Sequence, residues 1–205
     1  TLCAFITPIT ISSVNIALPA ISADLNADNI ITSWFVTSYI LVTALLLIPF
    51  GRLGDIYGRE KIFKYGVLIY GISGFLCAIS YSAGTLIFSR IIQGVGAAMM
   101  WGTGLAILMS VYKDGEKGKA LGINVAAVYL GLSIGPLFGG FCTHYIHWRS
   151  IFIIIGVSGI LLTIISVLKL SYQPINLSDE KFDCIGLLLY CFAIVPAFIG
   201  FSMLP

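Results

Sequence analysis

Few residues in this sequence are equipped for chemistry, and the most telling one sits in an unexpected place. Arg90 lies in "SRIIQGVGAAMMWGTG", within a long apolar run that carries no other charge. An arginine in such a setting either faces a protein interior or a wet cavity, or snorkels to the headgroups, and a position about five residues into the run permits both. Gln93 follows one helical turn later on the same face, which favours a functional pair. Asn15 interrupts another apolar run in "SSVNIALPAI". A buried carboxamide needs a partner, and substrate contact and an interhelical hydrogen bond serve equally well. His144 and His147 can share a helix face in "THYIHWR", but no third ligand lies nearby, so a metal site is not expected. The five cysteines form no CxxC pair and read as small buried hydrophobes. No nucleophile–base–acid set, zinc signature or phosphate loop is present, and the "GVG" at 94–96 follows no strand. An enzyme is therefore not expected, and neither is a cofactor.

The elements that must position these residues are set by hydropathy. Of the 205 residues 59% are hydrophobic and 10% charged, with a mean hydropathy of +1.03. Soluble domains carry about 25% charged residues. Runs of about 20 uncharged residues are long enough to cross the hydrocarbon as helices. Seven such spans are expected, near 2–23, 31–51, 62–81, 85–111, 120–142, 149–170 and 183–204. They neither alternate nor keep to the short length of barrel strands, so helices satisfy their backbone groups. The chain is thus expected to be an all-α polytopic membrane protein, with the lipid bilayer as a partner and no nucleic acid. It divides into a six-span unit over 1–170, a polar connection over 171–182 and a seventh span over 183–205. Thr1 opens inside one apolar run and Pro205 closes another, so the chain is expected to be part of a longer polypeptide. Residues 1–23 lack a basic leader and a cleavage site, and are read as a span rather than a signal peptide.

Nine of the eleven basic residues lie in or beside the second, fourth and sixth connections. The positive-inside rule makes those connections cytoplasmic, together with the amino terminus. Trp34, Tyr81, Tyr145 and Trp148 then fall at the outer boundary, where amphipathic rings are favoured. The second connection, "GRLGDIYGREKIF", is read as a cytoplasmic turn in which Gly51, Gly54 and Gly58 let the backbone reverse and neighbouring helices approach. Gly131, Gly135 and Gly139 in "GLSIGPLFGG" recur every four residues and share one face of the fifth span, a close-packing surface that Pro136 bends. Gly94, Ala98 and Gly102 give the fourth span a similar face.

Taken together, these motifs resemble the major facilitator superfamily, and specifically the amino-terminal half of a fourteen-span drug/proton antiporter. "GRLGDIYGREKIF" is similar to the family's loop motif at Gly51, Leu53, Asp55, Gly58 and Arg59, with Ile56 where a basic residue is common. "SRIIQGVGAA" resembles the span-four motif at Arg90, Gln93, Gly94 and Gly96. "GLSIGPLFGG" resembles the span-five antiporter motif at Gly131, Gly135, Pro136, Gly139 and Gly140. "VNIALPAI", "SWFVTSYIL", "HWRSIF" and "FDCIG" look like the fourteen-span branch, whose central linker pair would start at the seventh span. One position departs. Thr10 stands where this branch usually has an aspartate, and a hydroxyl cannot carry protons, so any proton coupling needs another acid.

The resemblance implies two six-span bundles that rock about a central site, with the carboxy-terminal half of the same chain as the second. It implies proton-coupled export of small amphipathic molecules or drugs across the cell membrane, with protons and a small-molecule substrate as partners and the proton gradient as energy source. Asn15, Arg90 and Gln93 would line the cavity or relay protons, and the span-five glycine–proline face would join the interface between bundles. Asp55 and Arg59 would form a conformational latch with a helix of the second bundle, whose dipole helps hold it. The alternatives are a proton-linked metabolite permease and a transporter-like membrane sensor without turnover.

Overall fold

The computed structural model describes residues 1–113 and 115–170, together with Gly186 and Tyr190. Within that range the chain forms six long helices: α1 Leu2–Asp24, α2 Asn29–Tyr57, α3 Arg59–Ala78, α4 Ala83–Val111, α5 Lys117–Tyr145 and α6 Arg149–Lys169. Each is long and apolar enough to cross a membrane. The connection 171–182 lies outside the described residues, as does the expected seventh span apart from Gly186 and Tyr190.

Local signals set several ends. The Asp28 carboxylate accepts from the Ile31 N–H at 2.8 Å and starts α2. Ser82 and Thr85 form a reciprocal capping box at the start of α4. Pro8, Pro19, Pro49 and Pro136 all lie inside helices that continue past them. At Pro136 a neighbouring helix compensates for the missing donor, since Ser12 Oγ of α1 donates to the freed Leu132 carbonyl at 3.0 Å.

The second connection differs most from its sequence reading. Gly51 and Gly54 are helical residues of α2, which runs on to Tyr57. The reversal is made at Gly58 alone, with φ 104° and ψ 115°, and α3 begins at the next residue. A side chain is strained at that φ, so glycine is required there. Gly51 and Gly54 serve the other expected purpose, close approach. A Cβ on Gly54 would fall 2.6 Å from Thr103 Cγ2, and one on Gly102 would fall 2.7 Å from the Leu47 carbonyl.

The helices pack mainly as α1 on α5, α2 on α4, α4 on α3, and α3 on α6. Small residues decide each pairing, because burying apolar surface gains little when lipid is the solvent. At α3–α6 a Cβ on Gly74 would fall 2.8 Å from the Gly156 nitrogen, and one on Gly159 2.5 Å from the Gly71 Cα. The fourth-span face works as expected, with Gly94 against Tyr39 of α2 and Ala98 fully buried. The core runs through Val14, Phe35, Tyr70, Leu86 and Ile151. Cys77 and Cys142 are buried thiols, as expected of small hydrophobes, and Cys3 is partly buried.

Candidate functional site

Arg90 does not snorkel. It is fully buried, and its Nε donates to the Phe35 carbonyl of α2 at 2.8 Å. Its Nη1 donates to Gln93 Oε1 at 2.6 Å, so the expected one-turn pair is formed. The guanidinium lies 4.4 Å from the Tyr39 ring centroid and 6.0 Å from that of Phe152 on α6. A buried cation is thus met by a carbonyl dipole, an amide oxygen and two ring faces. Arg90 Nη2, Gln93 Nε2 and Ser38 Oγ have no hydrogen-bond partner among the described residues.

A second buried polar link lies between α1 and α3. The Tyr70 hydroxyl donates to Thr10 Oγ1 at 2.7 Å, and Thr10 Oγ1 donates to the Ile6 carbonyl at 2.9 Å. Thr10 is fully buried, so the position where the resemblance leads one to expect an aspartate is held by a satisfied hydroxyl.

Asn15 stands apart, exposed on the outer face of α1. The three residues expected to share a cavity are therefore not brought together. Arg90 and Gln93 pack inside the bundle, and Asn15 faces out of it. The reason is helix phase: Val14 and Ala17 take the buried side of α1 and turn Asn15 away.

Gly131, Gly135 and Gly139 are buried against α1. A Cβ on them would fall 2.5 Å from the Phe5 carbonyl, 2.5 Å from Ser12 Cβ and 2.6 Å from the Ser13 carbonyl. Ser12 Oγ and Ser13 Oγ donate to the carbonyls of Leu132 and Gly135, at 3.0 and 2.8 Å. This glycine face is used inside the bundle, against α1. Gly140 meets nothing within 4 Å, and Pro136 is partly buried.

At the α2–α3 junction, on the end that the basic residues lead one to expect inside the cell (termed inner), Arg59 Nε donates to Asp55 Oδ1 at 2.7 Å across the Gly58 break. Both side chains are about two-fifths exposed. Lys64 Nζ donates to the Leu170 carbonyl at 2.6 Å and caps the inner end of α6. Glu60, in the first turn of α3, keeps one carboxylate oxygen buried without a partner among the described residues.

The opposite end of the bundle (termed outer) holds a cluster that spacing did not reveal. Arg149 Nη1 donates to Asp24 Oδ2 at 2.8 Å and its Nη2 to the Ser80 carbonyl at 3.1 Å. Trp148 Nε1 donates to the same Asp24 oxygen at 3.1 Å. Trp148 is 2% exposed, so it is a buried anchor and not a ring of the interfacial belt. Trp34, Tyr81 and Tyr145 are exposed. His147 packs beside the Trp148 ring, and no metal-binding group of three residues occurs among the described residues.

A family model described as Major Facilitator Superfamily matches residues 1–204. The chain belongs to the Major Facilitator Superfamily. A riboflavin transporter of Clostridioides difficile (strain 630) is 39% identical over 179 residues, covering 87% of this chain and 39% of that protein. The puromycin resistance protein pur8 of Streptomyces alboniger is 38% identical over 137 residues, covering 66% of this chain and 27% of that protein. Among solved structures, an inward-facing, unoccupied bacterial homologue of the human lysosomal transporter Spinster superposes with a TM-score of 0.73 at 22% identity. That match covers 89% of this chain and 44% of the other, and it shows the fold. The chain spans less than half the length of these relatives. By their names these are transporters and a resistance protein, and this chain is a multi-pass membrane protein of the superfamily.

Sequence reading singled out Arg90, Gln93, Asp55, Arg59 and the span-five glycines, and passed over Ser38, Tyr39, Tyr70 and Asp24, which the structure places in contacts of the same kind. Tyr39 and Tyr70 carry a usable signal, since each places a phenol deep in an apolar run. Asp24 carries none, because an acid at a helix end reads as solvated.

Proposed function

We propose that residues 1–170 form the amino-terminal bundle of a secondary transporter that exports small amphipathic molecules by alternating access, driven by the proton gradient. The bundle sits in the cell membrane with its amino terminus cytoplasmic, and the carboxy-terminal half of a fourteen-span chain supplies the other wall of the substrate path. The observation that carries this reading is the superfamily match over nearly the whole chain, joined to relatives that include a resistance protein.

The residues take distinct roles. Arg90 and Gln93 bind α4 to α2 and set the ring of Phe152 on α6 against the guanidinium, which lets the bundle move as one body. Asn15 faces outward and is the member of the expected trio placed to meet substrate. Asp55 and Arg59 pair with each other and stay half exposed, so they are free to exchange this partner for a helix end in the second bundle. Thr10 is bonded to Tyr70, and protons are carried by an acid elsewhere in the full chain.

The test uses full-length protein in sealed vesicles. An imposed pH gradient drives substrate movement, and flux falls to the passive level when both the pH gradient and the membrane potential are collapsed. Unaltered flux after that collapse rejects the reading. A second reading, a proton-linked metabolite permease, is supported by the similarity to a riboflavin transporter. Accumulation on the cytoplasmic side in response to the same gradient favours it.

A further inference from the structure

Among the described residues, four buried side-chain atoms have no hydrogen-bond partner: Ser38 Oγ, Glu60 Oε2, Arg90 Nη2 and Gln93 Nε2. Glu60 lies apart, in the first turn of α3. The other three belong to one place. Arg90 Nη1 and Gln93 Oε1 meet at 2.6 Å, so Nη2 and Nε2 are the second arms of a guanidinium and a carboxamide already joined. Ser38 sits on α2 one turn beyond Phe35 and next to Tyr39, and both of those hold the guanidinium.

The chemistry of these atoms is one-sided. Arg90 Nη2 can only donate. Gln93 turns its oxygen to Arg90 because a guanidinium offers no acceptor, and its Nε2 is left as a second donor. The Ser38 hydroxyl can donate as well. Donors from α2 and α4 therefore lack a common acceptor. The charge is one-sided too. Arg90 meets a carbonyl, an amide oxygen and two ring faces, all of them neutral. Neither ion pair formed among the described residues includes it. A buried cation without a counter-ion is costly, and an anion in contact with it recovers part of that cost. A water molecule would supply an acceptor but no charge, and it would bring two hydrogens of its own to satisfy.

Burial narrows the occupant further. Arg90 and Gln93 are fully buried and Ser38 is 3% exposed, with no contribution from the proposed carboxy-terminal half. A carboxylate of that half, or an organic anion, has no opening to these atoms. We infer that Arg90 Nη2, Gln93 Nε2 and Ser38 Oγ form a site for one small inorganic anion of the size of chloride, which neutralises Arg90 and ties α2 to α4. The anion is a resident ligand and not cargo, so the inference stands whether or not the export reading does.

The test follows the thermal midpoint of the full-length protein in lipid nanodiscs as chloride replaces gluconate at constant ionic strength. Gluconate is too large for so enclosed a site. The parent midpoint is expected to rise with chloride, by about 1–3 °C near saturation. Ser38→Ala removes one donor and should weaken the apparent chloride affinity about three- to tenfold. Its midpoint in gluconate should equal or exceed the parent's, because an unpaired buried hydroxyl is gone. Gln93→Glu gives Arg90 a built-in carboxylate, so it should abolish the chloride response while holding the parent's midpoint in gluconate. A parent midpoint that ignores chloride overturns the inference without any variant. A chloride response undiminished in both variants also overturns it, since the ion then acts elsewhere. A loss of stability in Ser38→Ala of equal size in chloride and in gluconate marks an ordered water or packing alone, and overturns it too.

Discussion

The two ends of the bundle handle charge in opposite ways. At the outer end, Arg149 and Trp148 converge on Asp24, and Arg149 also reaches the Ser80 carbonyl. One carboxylate and one guanidinium thereby tie α1, α3 and α6, with a buried indole behind them. At the inner end, Asp55 and Arg59 bond, among the described residues, across a single glycine between two consecutive helices. The outer cluster joins elements far apart in sequence and resists their separation. The inner pair holds one turn in shape and leaves both groups half open to other partners. The difference separates a fastening, which contributes to stability, from a contact that can be exchanged at little cost. Exposed ion pairs are worth about 0–1 kcal/mol, and exchange is cheap for that reason.

That contrast can be broken by substitution, read as thermal unfolding of the full-length protein in nanodiscs. Gly58→Ala should cost most, about 2–3 kcal/mol, because the backbone at φ 104° does not accept a Cβ. A midpoint equal to the parent's would mean that the inner junction relaxes and is not pinned by backbone. Arg149→Leu should come next, at about 1–2 kcal/mol, since it leaves Asp24 only the bond from Trp148 and frees the Ser80 carbonyl just past α3. Loss of half that amount or less would demote the outer cluster to a surface pair. Trp148→Phe keeps a buried ring but removes the bond to Asp24, for about 1 kcal/mol. Asp55→Asn should change stability least, by under about 0.5 kcal/mol, yet abolish most vesicle transport if the pair works as a latch. Full transport in that variant would sink the latch, and a large loss of stability would make the inner pair a fastening after all.

Much of the fold was legible in the residues. Runs as long as Gly66–Tyr112, broken only by "YSAG" and the single charge of Arg90, allow few structures in lipid, and six of the expected spans appear close to their expected limits. The Arg90–Gln93 pair was readable because one-turn spacing is a local property of a helix. The second connection misled because three glycines in eight residues read as a loop. In the structure Gly51 and Gly54 are helical, and their missing side chains serve α4 rather than the turn. The span-five face shows a related limit of spacing. Spacing puts Gly131, Gly135 and Gly139 on one side of a helix, but it does not say which neighbour that side receives.

The sequence alone determined the class of molecule, the number and order of its spans within 1–170, their sidedness as an expectation, and which residues share a helix face. Those follow from hydropathy, chain length per turn and the 3.6-residue period, all of them local. Only the tertiary structure decided the partners. It put α1 in the glycine groove of α5, sealed Arg90 against Tyr39, filled the Thr10 position with a bond from Tyr70, and drew Asp24 to Trp148 and Arg149. These contacts join residues as many as 125 positions apart. Their geometry depends on how close two helices can come, which is set by both surfaces at once and by neither sequence segment on its own.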